Sequence, residues 1–318
     1  MPALATYDLT KDYAVGFWRK RPYRALDRLT LDVGEGEVFG FLGPNGAGKT
    51  TTLKLLMQLV FPTSGRAEIL GRPVGDLGAK RRIGYLPENP YFYDYLTAEE
   101  LLTYFAGLFG YRGADARART SQLLDDVGIG AERRLQLRKF SKGMLQRVGI
   151  AQALINDPEL VIFDEPMSGL DPLGRRDVRS LILRLRDRGC TVFFSSHVLS
   201  DAEALCSRVA ILAKGRLVAS GRLNEMVPFR AHGWELVVAG ATDAAIRAIE
   251  GRVRRATRID EGRYSLELPL DPPPERVLDA LIAGGAELVS LNPLRQTLED
   301  FFVQQVTSDA VTARERLA

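Results

Sequence analysis

The stretch Gly43-Pro44-Asn45-Gly46-Ala47-Gly48-Lys49-Thr50 follows an apolar run, Val38-Phe39-Gly40-Phe41-Leu42, and leads into Thr51-Thr52-Leu53-Lys54-Leu55-Leu56-Met57. That order predicts a strand, a glycine-rich loop and a helix. Small residues let successive backbone N–H groups turn inward, and the positive end of the following helix adds to their attraction for an anion. The spacing fits Gly-x-x-x-x-Gly-Lys-Ser/Thr, a cradle for a polyphosphate. The expected binding set is therefore Gly43, Pro44, Asn45, Gly46, Ala47, Gly48, Lys49, Thr50 and Thr51. Lys49 is expected to reach the β- and γ-phosphates and the Thr50 hydroxyl to bind Mg²⁺.

Two further stretches acquire meaning beside that loop. Leu160-Val161-Ile162-Phe163 is fully apolar and too short for a helix, so it reads as an inner parallel strand, and Asp164, Glu165 and Pro166 follow it directly. Carboxylates at the carboxyl end of such a strand lie in the ligand crevice of an open α/β sheet. Asp164 is expected to hold Mg²⁺ through a water, and Glu165 to face the γ-phosphate and polarise an attacking water. Thr191-Val192-Phe193-Phe194-Ser195-Ser196 is a second buried strand and ends in His197, one of only two histidines. A lone histidine is commonly structural, but this one occupies the same end of a core strand.

Elsewhere the order of elements sets the architecture. Residues 4–12 and 27–33 read as short strands, separated by an aromatic and basic segment from Tyr13 to Arg24. That segment offers an aromatic face for a purine, or a surface hairpin with a basic rim that touches a partner or lipid headgroups. No parallel strand fits between 95 and 158, so the region of about 90–158 reads as an all-helical insertion. It includes a capping box at Thr97-Ala98-Glu99-Glu100 and a helix of about 116–127. Phe140-Ser141-Lys142-Gly143-Met144 opens a further helix, with Ser141 at an N-cap position that can also serve as a phosphate site. Past Gly221 the pattern becomes strand, helix, strand, strand, helix, strand, a split ferredoxin-like order without clustered catalytic residue types. The expected fold is α/β: a P-loop NTPase core with a helical subdomain, followed by a small α+β ferredoxin-like domain. The expected boundaries are 1–228, 229–305 for the accessory domain, and a flexible tail at 306–318.

The 318 residues carry a formal charge of only +3, with 46% hydrophobic and 26% charged side chains, so a nucleic-acid partner is not expected. Cys190 and Cys206 have no metal-ligand spacing and suit a reducing compartment. The N-terminal residues lack a basic start followed by an apolar stretch, and no run approaches eighteen apolar residues. The chain is accordingly expected to be neither secreted nor membrane-spanning on its own.

Taken together, residues 4–222 resemble the nucleotide-binding subunits of ATP-binding cassette (ABC) transporters, of the single-cassette kind with a separate membrane permease. Gly43 to Thr50 is similar to Walker A and Leu160 to Asp164 to Walker B, with Glu165 at the position of the catalytic base. Phe140 to Met144 resembles the signature Leu-Ser-Gly-Gly-Gln, Ser168 to Asp171 the D-loop, and His197 the switch histidine. The resemblance implies ATP and Mg²⁺ as ligands and catalysis by Glu165, His197 and Lys49. It also implies a head-to-tail dimer with a second copy or a paralogous cassette, in which Ser141 and Gly143 meet the γ-phosphate held by Lys49 of the other chain. Glu88 stands where the family usually has glutamine and would still meet Mg²⁺ or water; Tyr13 is the implied purine-stacking aromatic, with Phe17-Trp18 as a competing segment. Leu298 to Phe302 resembles the closing motif of cassettes that serve export permeases, which implies an exporter and a peripheral place on the cytoplasmic face of the membrane. The alternatives are a soluble ABC ATPase acting on ribosomes or DNA, and a nucleotide-binding regulator without turnover.

Overall fold

The computed structural model describes residues 1–16, 21–226, 231–295 and 297–303. Contacts divide the chain into a unit that runs from Met1 to Leu223 and a second that begins at Asn224. The boundary read from the sequence at 228/229, the Phe17-Trp18 segment and the tail at 306–318 lie outside the described residues.

The first unit contains two sheets among its described residues. A six-stranded sheet is built from β3 (Val38–Leu42), β6 (Ile83–Leu86), β7 (Leu160–Asp164), β8 (Thr191–Ser196), β9 (Arg208–Ala213) and β10 (Arg216–Arg222), in the order β10-β9-β3-β8-β7-β6. All neighbours run parallel except the β9–β10 hairpin. Every residue of β3, β7 and β8 is buried, which is why these strands read as continuous apolar runs instead of alternating ones. The second sheet is antiparallel, ordered β2-β1-β4-β5, from β1 (Leu4–Val15), β2 (Arg21–Val33), β4 (Ser64–Ile69) and β5 (Arg72–Pro73). A common core joins both sheets: Leu4, Leu29 and Ile69 from one and Phe39, Phe41 and Phe193 from the other pack with Leu53 and Leu56 of helix α1 (Lys49–Leu56). The Phe39 and Phe193 rings stack with centroids 5.8 Å apart.

The expectation of two short strands at 4–12 and 27–33 needs correction. β1 and β2 are long strands whose pairing continues through Tyr13↔Tyr23 to Val15↔Arg21, so the described ends of the aromatic segment are sheet. Its charges run along the pairing: Arg24 donates from Nε and Nη2 to both carboxylate oxygens of Asp12, at 2.9 and 3.1 Å.

Helices cover the rest of the unit. α2 (Leu77–Lys80) is a single turn capped by Asp76. The inserted region is helical, with α3 (Ala98–Leu108), α4 (Gly113–Asp126) and α5 (Lys142–Ala153); α4 starts three residues before the expected 116. Thr97 and Glu100 form the capping box that opens α3, with Thr97 Oγ1 accepting from the Glu100 N–H at 3.1 Å. α6 (Pro172–Asp187) is capped by Asp171, and α7 (Leu199–Leu205) follows His197. No described helix is long and apolar enough to cross a membrane.

Beyond α8 (Leu223–Met226), the second unit comprises β11 (Ala231–Ala239), α9 (Asp243–Ala248), β12 (Arg255–Asp260), β13 (Arg263–Pro269), α10 (Pro274–Ala283) and β14 (Glu287–Arg295). Its sheet is wholly antiparallel, ordered β12-β13-β11-β14. Alternation on the inner strands puts Leu236, Val238, Leu266 and Leu268 into a separate core against Val277 and Leu281 of α10. A last helix, 298–303, is opened by Thr297, whose N–H donates to the Asp300 carboxylate while its Oγ1 accepts from the Asp300 N–H.

Candidate active site

Four parallel strands deliver the chemistry to one end of the six-stranded sheet. β3 runs into the glycine loop, β6 into Glu88, β7 into Glu165 and β8 into His197. That common end is where open α/β sheets place their ligands. A cleft of about 550 Å³ opens there, lined by Tyr13, Tyr23, Ala25, Pro44 to Thr51, Glu88, Glu165, Ser168 and His197.

The loop can take its path only with glycine at two positions. Gly43 has φ +154° and a Cβ there would lie 2.3 Å from the Leu212 carbonyl oxygen; Gly48 has φ +108° and its Cβ would lie 2.6 Å from that of Ala25. The backbone of Leu212 and Ala25 is packed against the loop at these two glycines. Lys49 folds back across it, donating to the carbonyls of Gly43 at 2.7 Å and Pro44 at 3.3 Å. With 6% of its side chain exposed, its ammonium also lies 3.3 Å from Glu165 Oε1. The other carboxylate oxygen, Oε2, lies 2.8 Å from His197 Nδ1. Glu165 thus bridges Lys49 and His197, so the three expected catalytic residues form one connected group.

Asp164, fully buried, is held differently. Its Oδ1 accepts from the Ser195 hydroxyl at 2.6 Å, while its Oδ2 is buried with no hydrogen-bond partner. Burial pushes this carboxyl above the usual range; Ser195 and the nearby Thr50 hydroxyl oppose the rise, and the charges of Glu88 and Glu165 add to it. A buried orphan oxygen beside a threonine hydroxyl, with an exposed carboxylate near by, is a hard-oxygen donor set suited to Mg²⁺. Among the described residues there is no cluster of three or more His, Cys, Asp or Glu that could hold a metal without help from a ligand. Phosphate oxygens supply that help in nucleotide sites, where Mg²⁺ takes only one or two protein ligands.

Not every expected residue is in this cleft. Ser141 caps α5, accepting from the Met144 N–H at 3.2 Å, and lies with Gly143 in a second cleft of about 560 Å³ beside Gly169 and Asp171. Within one chain, therefore, Ser141 and Gly143 do not join Lys49.

Four residues in or beside the site escape a reading from sequence. Tyr23 stands opposite Tyr13 in the pairing of β1 with β2 and lines the same cleft, a placement that depends on strand register. Lys11 Nζ sits 5.0 Å from the centre of the Tyr13 ring. Ser195 looks like an ordinary strand residue, yet it serves both acids: besides donating to Asp164, its Oγ accepts from the Glu165 N–H at 3.0 Å. Gln146, on α5, donates from Nε2 to the Glu165 carbonyl at 3.2 Å. These two bonds grip a peptide unit in the left-handed region, φ +53° at Glu165, which costs a non-glycine residue about 1 kcal/mol or more.

A glycine loop on a helix N-terminus, a lysine within it, and an acid and a histidine on adjacent strands define a P-loop nucleoside triphosphatase. The family is more specific. The family model described as "ABC transporter" matches residues 26–168. An uncharacterised ABC transporter ATP-binding protein of Synechocystis is 44% identical over 98% of this chain and 86% of its own length. A fluoroquinolones export ATP-binding protein of Mycobacterium tuberculosis is 43% identical over 64% of this chain and 66% of its own. Among solved structures, a dimeric post-hydrolysis ATP-binding cassette bound to ADP and Pi matches with a TM-score of 0.63 at 27% identity, over 69% of this chain and 98% of that one. The chain belongs to the ATP-binding subunits of ABC transporters, and it is an ATPase.

Proposed function

We propose that this chain is the ATP-driven engine of an exporter, working on a separate membrane permease from the cytoplasmic face. The observation that carries the ATP-driven dimer in this reading is the division of the expected nucleotide-contacting residues between two clefts of one chain. Lys49, Glu165 and His197 line one, and Ser141 and Gly143 line the other. A head-to-tail dimer with a second copy or a paralogous cassette brings unlike clefts together, so that each ATP lies between the glycine loop of one chain and Ser141 and Gly143 of its partner. The dimeric cassette among the structural neighbours supports that arrangement. The export-named relative and the Leu298 to Phe302 ending support the direction.

In this reading the loop amides and Lys49 hold the phosphates, and Tyr13 with Tyr23 presents an aromatic face to the purine. Thr50 and Asp164, with Glu88 beside them, would hold Mg²⁺, which would supply positive charge to offset that of the phosphates. Glu165 orients and polarises the attacking water, and His197 fixes the Glu165 carboxylate through Oε2.

The test is ATP hydrolysis by the purified chain beside Glu165→Gln, with the oligomeric state of each measured with and without ATP. Turnover in the wild type, lost in the variant as it accumulates as an ATP-stabilised dimer, is the expected result. Undiminished turnover in Glu165→Gln would remove Glu165 from the role assigned to it.

A further inference from the structure

Glu165 is an unusual place to put a catalytic carboxylate, because the backbone that carries it sits at φ +53°, where side chains other than glycine rarely go. Such a conformation persists only when its surroundings over-determine it. Two buried side chains provide the determination. Ser195, with no exposed surface, accepts the Glu165 N–H at 3.0 Å, and Gln146, 1% exposed, donates to the Glu165 carbonyl at 3.2 Å.

We propose that Ser195 and Gln146 are positioning residues that clamp the Glu165 backbone from its two sides and so aim its carboxylate between Lys49 and His197. The two grips come from different parts of the unit. Ser195 lies on β8, two residues before His197, so the strand that delivers the histidine also sets the acid it touches. Gln146 lies on α5, the helix that Ser141 caps, so a shift of that helix is carried by one hydrogen bond to the backbone of Glu165. Neither residue lines the nucleotide cleft. Gln146 acts on turnover through Glu165, and Ser195 through Glu165 and also through its hydrogen bond to Asp164; the inference rests on Glu165 acting as proposed above.

The experiment compares Ser195→Ala, Ser195→Thr and Gln146→Met with the wild type, each alone and combined with Glu165→Gln, by single-turnover hydrolysis and equilibrium ATP binding. Methionine keeps the volume of Gln146 and removes its donor, and threonine keeps the hydroxyl. Misaiming a reacting group by a fraction of an ångström to an ångström is expected to lower the hydrolysis rate of Ser195→Ala and Gln146→Met by about 10- to 100-fold. ATP affinity stays within about twofold, Ser195→Thr recovers most of the rate, and Gln146→Met has no further effect once Glu165 is glutamine. Gln146→Met that folds, binds ATP and hydrolyses it like the wild type overturns the clamp. So does a loss of equal size in the Glu165→Gln background, or one matched by lost ATP binding. Failure of the Glu165 assignment is a separate result, seen as undiminished hydrolysis by Glu165→Gln alone.

Discussion

The two clefts of the first unit are nearly equal in volume, about 550 and 560 Å³, and opposite in chemistry. The first collects an ammonium, two carboxylates, an imidazole and a glycine loop at the ends of parallel strands. The second collects a helix N-cap, Gly143, Lys142 and the Gly169 to Asp171 turn. The first brings a buried ammonium to a catalytic acid and a histidine; the second sets a serine-capped helix N-terminus beside Lys142 and Arg147, with Glu132 and Asp171 in its lining. The difference teaches that the expected nucleotide-contacting residues are split between two clefts of one chain, and in the proposed reading a second chain brings the two kinds of cleft together.

That comparison breaks most readily at Lys49. Lys49→Ala removes the buried ammonium of the glycine loop and leaves Glu165 without its partner at 3.3 Å. Loss of a phosphate-clamping charge is expected to abolish turnover by about 100-fold or more, measured as phosphate release at saturating ATP. Ser141→Arg attacks the other cleft. It is expected to leave equilibrium ATP binding by one chain within about twofold and to cut turnover by about 100-fold, because the donor it replaces acts only in the assembled site. Equal loss of ATP binding by both variants would erase the distinction between the clefts.

Smaller effects sharpen it. Tyr23→Ala is expected to weaken ATP binding by about fivefold, near the lower end of what one stacked base contributes, with turnover at saturation unchanged; Tyr13→Ala measured alongside shows which ring carries the stack. Asp164 supplies a test of pH. Its folded pKa is raised by burial, so between the ordinary carboxylate value of 3.8 and that raised value the folded state binds more protons than the unfolded one. Its contribution to stability therefore falls as pH rises through that window. Asp164→Asn is expected to remove this decline in thermal melts, to melt higher than the wild type at neutral pH, and, in the proposed reading, to lose hydrolysis.

The first cleft was legible in sequence because each of its main residues is tied to a local signal. Lys49 and Thr50 sit at fixed offsets in a glycine loop, and Asp164, Glu165 and His197 each terminate an apolar run that can only be an inner strand. Tyr23 was hidden because its position opposite Tyr13 depends on the pairing of two strands whose junction reads as an irregular segment. Ser195 and Gln146 were hidden for another reason. A hydroxyl in a buried strand and an amide in a helix carry no pattern of their own, and their partners, the backbone groups of Glu165, are invisible to residue type. The strands expected at 4–12 and 27–33 are longer than read, because pairing continues into both ends of the aromatic segment, where cross-strand contacts outweigh weak local preference. In the second unit the element order followed directly from alternation, but alternation carries no chemistry, and none is assigned there.

The central claim is that the two clefts complete each other between chains. Lys49→Ala and Ser141→Arg place one lesion in each cleft and on separate molecules, so mixing the two purified variants tests it directly. If the clefts meet head to tail, mixed dimers contain one intact pairing of Lys49 with Ser141, and the equimolar mixture recovers about a quarter of wild-type turnover although neither variant is active alone. A mixture no more active than the sum of its parts would contradict the account.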